Sequence, residues 1–170
     1  VARERLDLAG ALTLSLIAVE PLMRAGLLTE PPAIQIAGCH EEDVEAFLVR
    51  AGWQDGAAVD FGTEDLGAVI AANVIALVPG DCIEGEVVEL YRECYGRSLF
   101  VREHGAGEWD ASLVIGKPFA LYRVTVHPAD PSRLVTIQVM AYREGKGGAS
   151  QVVHALNVMC GFAESAGIVD

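Results

Sequence analysis

The run Val69–Val78, VIAANVIALV, constrains the fold more than any other stretch of the chain. It is long, apolar and rich in Val and Ile, and Pro79-Gly80 closes it. β-branched residues suit a pleated surface, and a near-continuous apolar run suits a strand covered on both sides. The run therefore reads as the central strand of a sheet that the rest of the chain must flank and cover.

The flanking elements follow from local pattern. Ala11–Ala25 is apolar at helical spacing and ends at Gly26, a C-cap residue. Pro31-Pro32 opens an extended segment, Ala33–Ala37. Glu41–Ala51 reads as an amphipathic helix with Val44, Phe47, Leu48 and Ala51 on one face and acidic residues in its first turn, stopped by Gly52. Ile83–Tyr95 is helical, with Val87, Leu90, Tyr91 and Cys94 together and Gly96 at its end. Phe100–Glu103, Ser112–Ile115, Leu121–His127 and Leu134–Tyr142 read as strands, the last two joined as a hairpin through Pro128–Ser132. A final helix runs from about Gly148 to Ala163. With no internal repeat and no low-complexity linker, one domain is the simplest count. The expected class is α+β: a mixed, mostly antiparallel sheet with helices packed on one face.

Composition narrows the partners. The chain has 170 residues, enough for one substantial core, and a formal net charge of −12. That charge argues against nucleic acid or an anionic membrane. No apolar run reaches the roughly 18 residues of a spanning helix. Ala9–Met23 carries Glu20 and Pro21 and lacks a basic segment before it, so it does not read as a leader. Hydrophobic residues make up 52% and mean hydropathy is +0.34, a surplus that predicts a face covered by another subunit. Cys39, Cys82, Cys94 and Cys160 form no CxxC pair and read as reduced, mostly buried thiols of a cytoplasmic protein. No spacing suggests a metal site.

The second telling stretch is GKGGASQVVHALNVMCGFAESAGI, from Gly145 to Ile168. Its glycines make a tight turn before an apolar-faced helix. It resembles the KGAxGQAVxNxNLMxG-type run that closes N-acetyl-γ-glutamyl-phosphate reductase, a member of the semialdehyde-dehydrogenase group. PLMRAGLL, Pro21–Leu28, is similar to that family's PLLKAGLI, and VELYRECYGRSLFVR, Val88–Arg102, to its YEEFYxxEPFVRV. The likeness covers nearly the whole chain. It implies the C-terminal dimerisation and substrate domain of the family, of glyceraldehyde-3-phosphate dehydrogenase type, and hence a homodimer.

The resemblance also shows what is missing. The family forms a thioester on a Cys and reduces it with NADPH held on a Rossmann domain. The Cys position, counted back from Pro21, falls on Gly10. The HxHTPE motif is matched only by His40-Glu-Glu-Asp43, and the SGxSGAG loop before it is absent. The family's substrate Arg falls near Val69, and its GSN motif becomes Gly116-Lys117-Pro118. No GxGxxG follows a strand, so no dinucleotide cofactor is expected here. Lys146, Gly147 and Gln151 of the C-terminal pocket remain.

The candidate catalytic residues are therefore His40 and Asp43, the imidazole being favoured in its charged form by neighbouring carboxylates. Against this stands a solvated capping loop. Cys39 could serve as a relocated nucleophile, or be a buried thiol. Lys146, Arg143, Gln151 and Lys117 are candidate ligands for a small anion at the start of the final helix, where backbone N–H groups point the same way. His104, His127 and His154 read as structural, and Asp60, Glu64 and Asp65 as a solvated acidic loop. Three readings result. The first is a repurposed pocket for cofactor-free proton transfer or cyclisation, or for anion binding, in a biosynthetic pathway. The second is a non-catalytic subunit that pairs with a biosynthetic enzyme. The third is a reductase half that works with a separate Rossmann chain.

Overall fold

A computed structural model describes residues 2–39 and 44–168. The elements are α1 (Ala2–Arg24), β1 (Ala33–Ala37), α2 (Val44–Arg50), β2 (Ala58–Phe61), β3 (Val69–Pro79), α3 (Glu84–Tyr95), β4 (Val101–Glu103), a 3-10 turn (Ala111–Leu113), β5 (Ala120–Pro128), β6 (Ser132–Tyr142) and α4 (Ala149–Cys160). Six strands form one mixed sheet in the order β2-β1-β3-β6-β5-β4. The three inner pairings are antiparallel, and the outer two, β1 with β2 and β4 with β5, are parallel. The α+β expectation holds, and β3 lies inside the sheet between β1 and β6 as its sequence predicts.

Alternation along the strands assigns the faces. Ile34, Ile36, Ala72, Val74, Ile137 and Val139 are buried and point to the side that α1 covers. α1 carries Leu14, Ala18 and Leu22 into that core. Pro21 lies inside α1 and lacks an N–H, so the Ile17 carbonyl loses its usual helical donor. The Tyr95 hydroxyl of α3 donates to that carbonyl at 3.0 Å, and the Tyr91 hydroxyl donates to Ala18 O at 2.5 Å. Burial pushes both phenols well above their usual pKa, which keeps them protonated as donors. The carbonyl freed by a helix breaker in the sequence is thus answered by a tyrosine 78 residues away.

Several expectations need correction. α1 begins at Ala2, well before Ala11, and its end at the left-handed Gly26 is as predicted. Ser112–Ile115 is not a strand. The Asp110 carboxylate accepts the Ser112 N–H at 2.8 Å, and this local bond winds the segment into the 3-10 turn. β2 had no counterpart in the sequence reading, and Asp60 lies on it, in parallel register with Gln35. The thiols are not buried: Cys94 and Cys160 are exposed, Cys39 and Cys82 half-buried, and no disulfide joins the four. No described helix is long and apolar enough to cross a membrane.

Candidate functional site

β6 delivers the chain into a glycine-rich turn. Gly145 and Gly147 both donate to the Tyr142 carbonyl, at 3.0 and 3.2 Å, and Gly148 donates to Gly145 O at 3.0 Å. This winding turns Lys146 inward, where it is only 6% exposed. Its Nζ lies 3.5 Å from His154 Nδ1 and 5.3 Å from the Phe100 ring centre. His154 lies tilted against the same ring at 4.6 Å, and its Nε2 lies 3.1 Å from Glu164 Oε2. If Nε2 carries the proton toward Glu164, Nδ1 is an acceptor facing the lysine.

The segment that carries Glu164 is pinned in turn. Gly161 caps α4 in the left-handed conformation and reverses the chain. The buried Asn157 then donates its amide to Glu164 O at 3.1 Å and to Ala166 O at 2.9 Å. Burial lowers the Lys146 pKa to about 8, with Glu164 pulling weakly the other way. The lysine therefore gives up its proton more readily than an exposed one. An amine of that kind can accept a proton, and its ammonium form can hold an anion.

The other predicted residues fall elsewhere. His40 and Asp43 lie outside the described residues. The Arg143 guanidinium donates to the Gly38 carbonyl, and its backbone N–H to Ala68 O at 2.8 Å. With Gly38, Cys39 and the loop Gly62–Asp65 it lines a hollow of about 390 Å³. Gly38 is obligatory there: its φ is +82°, and a Cβ would fall 2.2 Å from the Val69 oxygen. Gln151 sits half-buried in the first turn of α4, and its buried Oε1 has no hydrogen-bond partner among the described residues. The Lys117 side chain is exposed, although its carbonyl packs on Gly145. Arg143 and Lys146 therefore face different surroundings, and the anion cluster drawn from sequence is divided between them.

His154, read as structural, is the lysine's nearest polar partner, and Glu164 was not singled out at all. A histidine, a helix-ending glycine and a glutamate in that order were the only signal available. Gly10 is closed. A Cβ there would lie 2.5 Å from Ile70 Cδ1 and 2.8 Å from the Gly147 oxygen, so the site has no room for a thiol. Among the described residues, no group of three or more His, Cys, Asp or Glu could hold a metal ion.

A scan of protein-family models finds no match to this chain, and no curated protein matches it.

Proposed function

We propose that this chain is a degenerate relative of the C-terminal domain of N-acetyl-γ-glutamyl-phosphate reductase that works without a nucleotide cofactor. It binds a small anion and moves a proton at Lys146. The observation that carries this reading is the row from buried Lys146, before α4, through half-buried His154 on α4 to exposed Glu164 beyond it. As ammonium, Lys146 attracts the ligand's charge. As amine, it takes a proton, and the imidazole beside it is the next station toward Glu164. The closed Gly10 position supports the loss of thioester chemistry.

The chain has only two lysines, Lys117 and Lys146, which makes the test clean. With isotope-labelled lysine, two side-chain signals titrate by NMR. Lys146 is expected to titrate near pH 8, and added phosphate or acetate to shift that signal selectively. His154→Ala should move the lysine titration without altering Lys117. If both lysines titrate together above pH 10 and no anion perturbs Lys146, the reading fails.

One observation favours a second reading. On and just beyond α4, Val152, Leu156, Met159 and Phe162 are exposed by 53, 54, 84 and 63%. Such a patch is what a non-catalytic interaction subunit would present. Native mass spectrometry separates the two. A complex dissolved by Met159→Asp, with no ligand retained, supports the second.

A further inference from the structure

The sheet face turned away from α1 carries a polar row. Strand register sets Asp60, Gln35, Asn73, Gln138 and Arg123 side by side on five successive strands. Over the middle of this row lies a hollow of about 370 Å³. Gln35, Asn73 and Gln138 line it together with Thr63, Glu64 and Trp109. Ala37, Gly62 and Ala71 are small, and their size leaves the space.

Asn73 is the informative residue. It interrupts the apolar run of β3, where packing has no use for an amide. Its Oδ1 is buried and has no hydrogen-bond partner among the described residues. An acceptor left unpaired in this way costs free energy that a donor from a bound molecule would recover. The same hollow offers the Glu64 carboxylate, a second acceptor. Trp109 forms an aromatic wall, already steadied by the Arg123 guanidinium 5.0 Å over its ring. Arg123 is itself held by Gly107 O at 2.7 Å. The formal charge of −12 draws cations to the surface at large.

We propose that this hollow is a binding site for a small organic cation, a primary-amine compound. Its ammonium donates to Asn73 Oδ1, which a turn of the amide brings to the hollow, and faces the Glu64 carboxylate, while its hydrocarbon part lies against Trp109 and Ala71. The site takes a cation, whereas the Lys146 array takes an anion, so the two proposals stand or fall separately.

The test uses the full chain at pH 7 and n-butylammonium chloride as probe. Butyrate and 1-butanol serve as controls at equal ionic strength. Saturable NMR shifts are expected at the Asn73 side-chain amide and the Trp109 indole N–H. Butylammonium should bind roughly tenfold more tightly than 1-butanol, the scale of one charge-assisted hydrogen bond, and butyrate should not bind. Asn73→Leu should weaken butylammonium about tenfold, and Glu64→Gln, at an exposed position, about fivefold. Asn73→Asp should tighten it. Equal binding of amine and alcohol overturns the proposal, as does an affinity indifferent to Glu64→Gln. Absence of any shift at Asn73, including because two chains pair through this face and fill the hollow, overturns it too.

Discussion

The two faces of the sheet differ by one step along each strand. Val74, Ile34, Ile137 and Val124 share one register line, and Asn73, Gln35, Gln138 and Arg123 the next. On the first line Val74, Ile34 and Ile137 are at most 1% exposed, and Val124 packs on the same core. The second is amides and a guanidinium beside a hollow. A slip of one residue would drive Asn73 and Gln138 into the packing beneath α1 and expose the core, so the contrast holds the strands in register. Folding accounts for the first line completely. Of the second it asks only that it be polar, and it leaves the unpaired Asn73 amide unexplained. Residues that folding leaves unexplained are where function is best sought.

The sharpest way to break this comparison is a matched pair on β6. Ile137→Ala removes a fully buried side chain and should cost about 2–5 kcal/mol in denaturant unfolding. Thr136→Ala, adjacent but on the other face and half-buried, should stay within about 1 kcal/mol. Equal losses would mean that the face turned away from α1 is packed as tightly as the core.

Next comes Lys146. Its folded pKa is pulled from 10.5 to about 8, chiefly by burial. The folded state therefore holds the lysine proton less tightly than the unfolded chain. The resulting destabilisation is fully present below pH 8, shrinks between about pH 8 and 10.5, and is gone above. Lys146→Met, similar in volume, should raise stability by about 2 kcal/mol at pH 7 and match the parent chain near pH 10.5. A gain that does not depend on pH would show that the lysine is not a buried charge.

Much of this fold was legible because its signals are local. The bounds Ala33–Ala37 follow from Pro31-Pro32 and a short apolar alternation, and β1 has those bounds. The hairpin through Pro128–Ser132 follows from turn chemistry, and β5 and β6 pair across it. β2 was not legible. AVDF is a weak strand by composition, and only parallel pairing with β1 makes it one. The site divides in the same way. Lys146 could be found from its glycines and the helix behind it. His154 and Glu164 meet only because Gly161 reverses the chain and Asn157 pins it. Asn73 hid inside an apolar run, where its neighbours argued for a strand and said nothing about its amide.

A third prediction tests the helix-covered side at Gly10. In most helices Gly→Ala stabilises, by roughly 0.5–1 kcal/mol. Here the added methyl meets Ile70 Cδ1 and, less yieldingly, the Gly147 backbone oxygen. Gly10→Ala should instead cost about 1–2 kcal/mol and loosen the turn that buries Lys146. A rise in melting temperature would mean that α1 and the glycine turn can separate, and would reopen room for a thiol.

The smallest expected effect is the most telling about the opposite face. Asn73 holds an unpaired acceptor in the middle of the sheet, so without ligand its amide is a burden on the fold. Asn73→Leu replaces it with an apolar group of similar size on a strand of apolar neighbours. Stability of the ligand-free chain should rise by up to about 1 kcal/mol, the reverse of what an ordinary buried hydrogen-bonded Asn would show. The control is Val74→Asn, which places an amide one step along, on the helix side. There the polar group meets the core beneath α1, and stability should fall by about 2 kcal/mol or more. Opposite signs for the two substitutions would show that Asn73 is kept at a cost to folding, as a residue retained for binding would be. A loss at both positions would make Asn73 a structural amide and return the two faces to a single explanation.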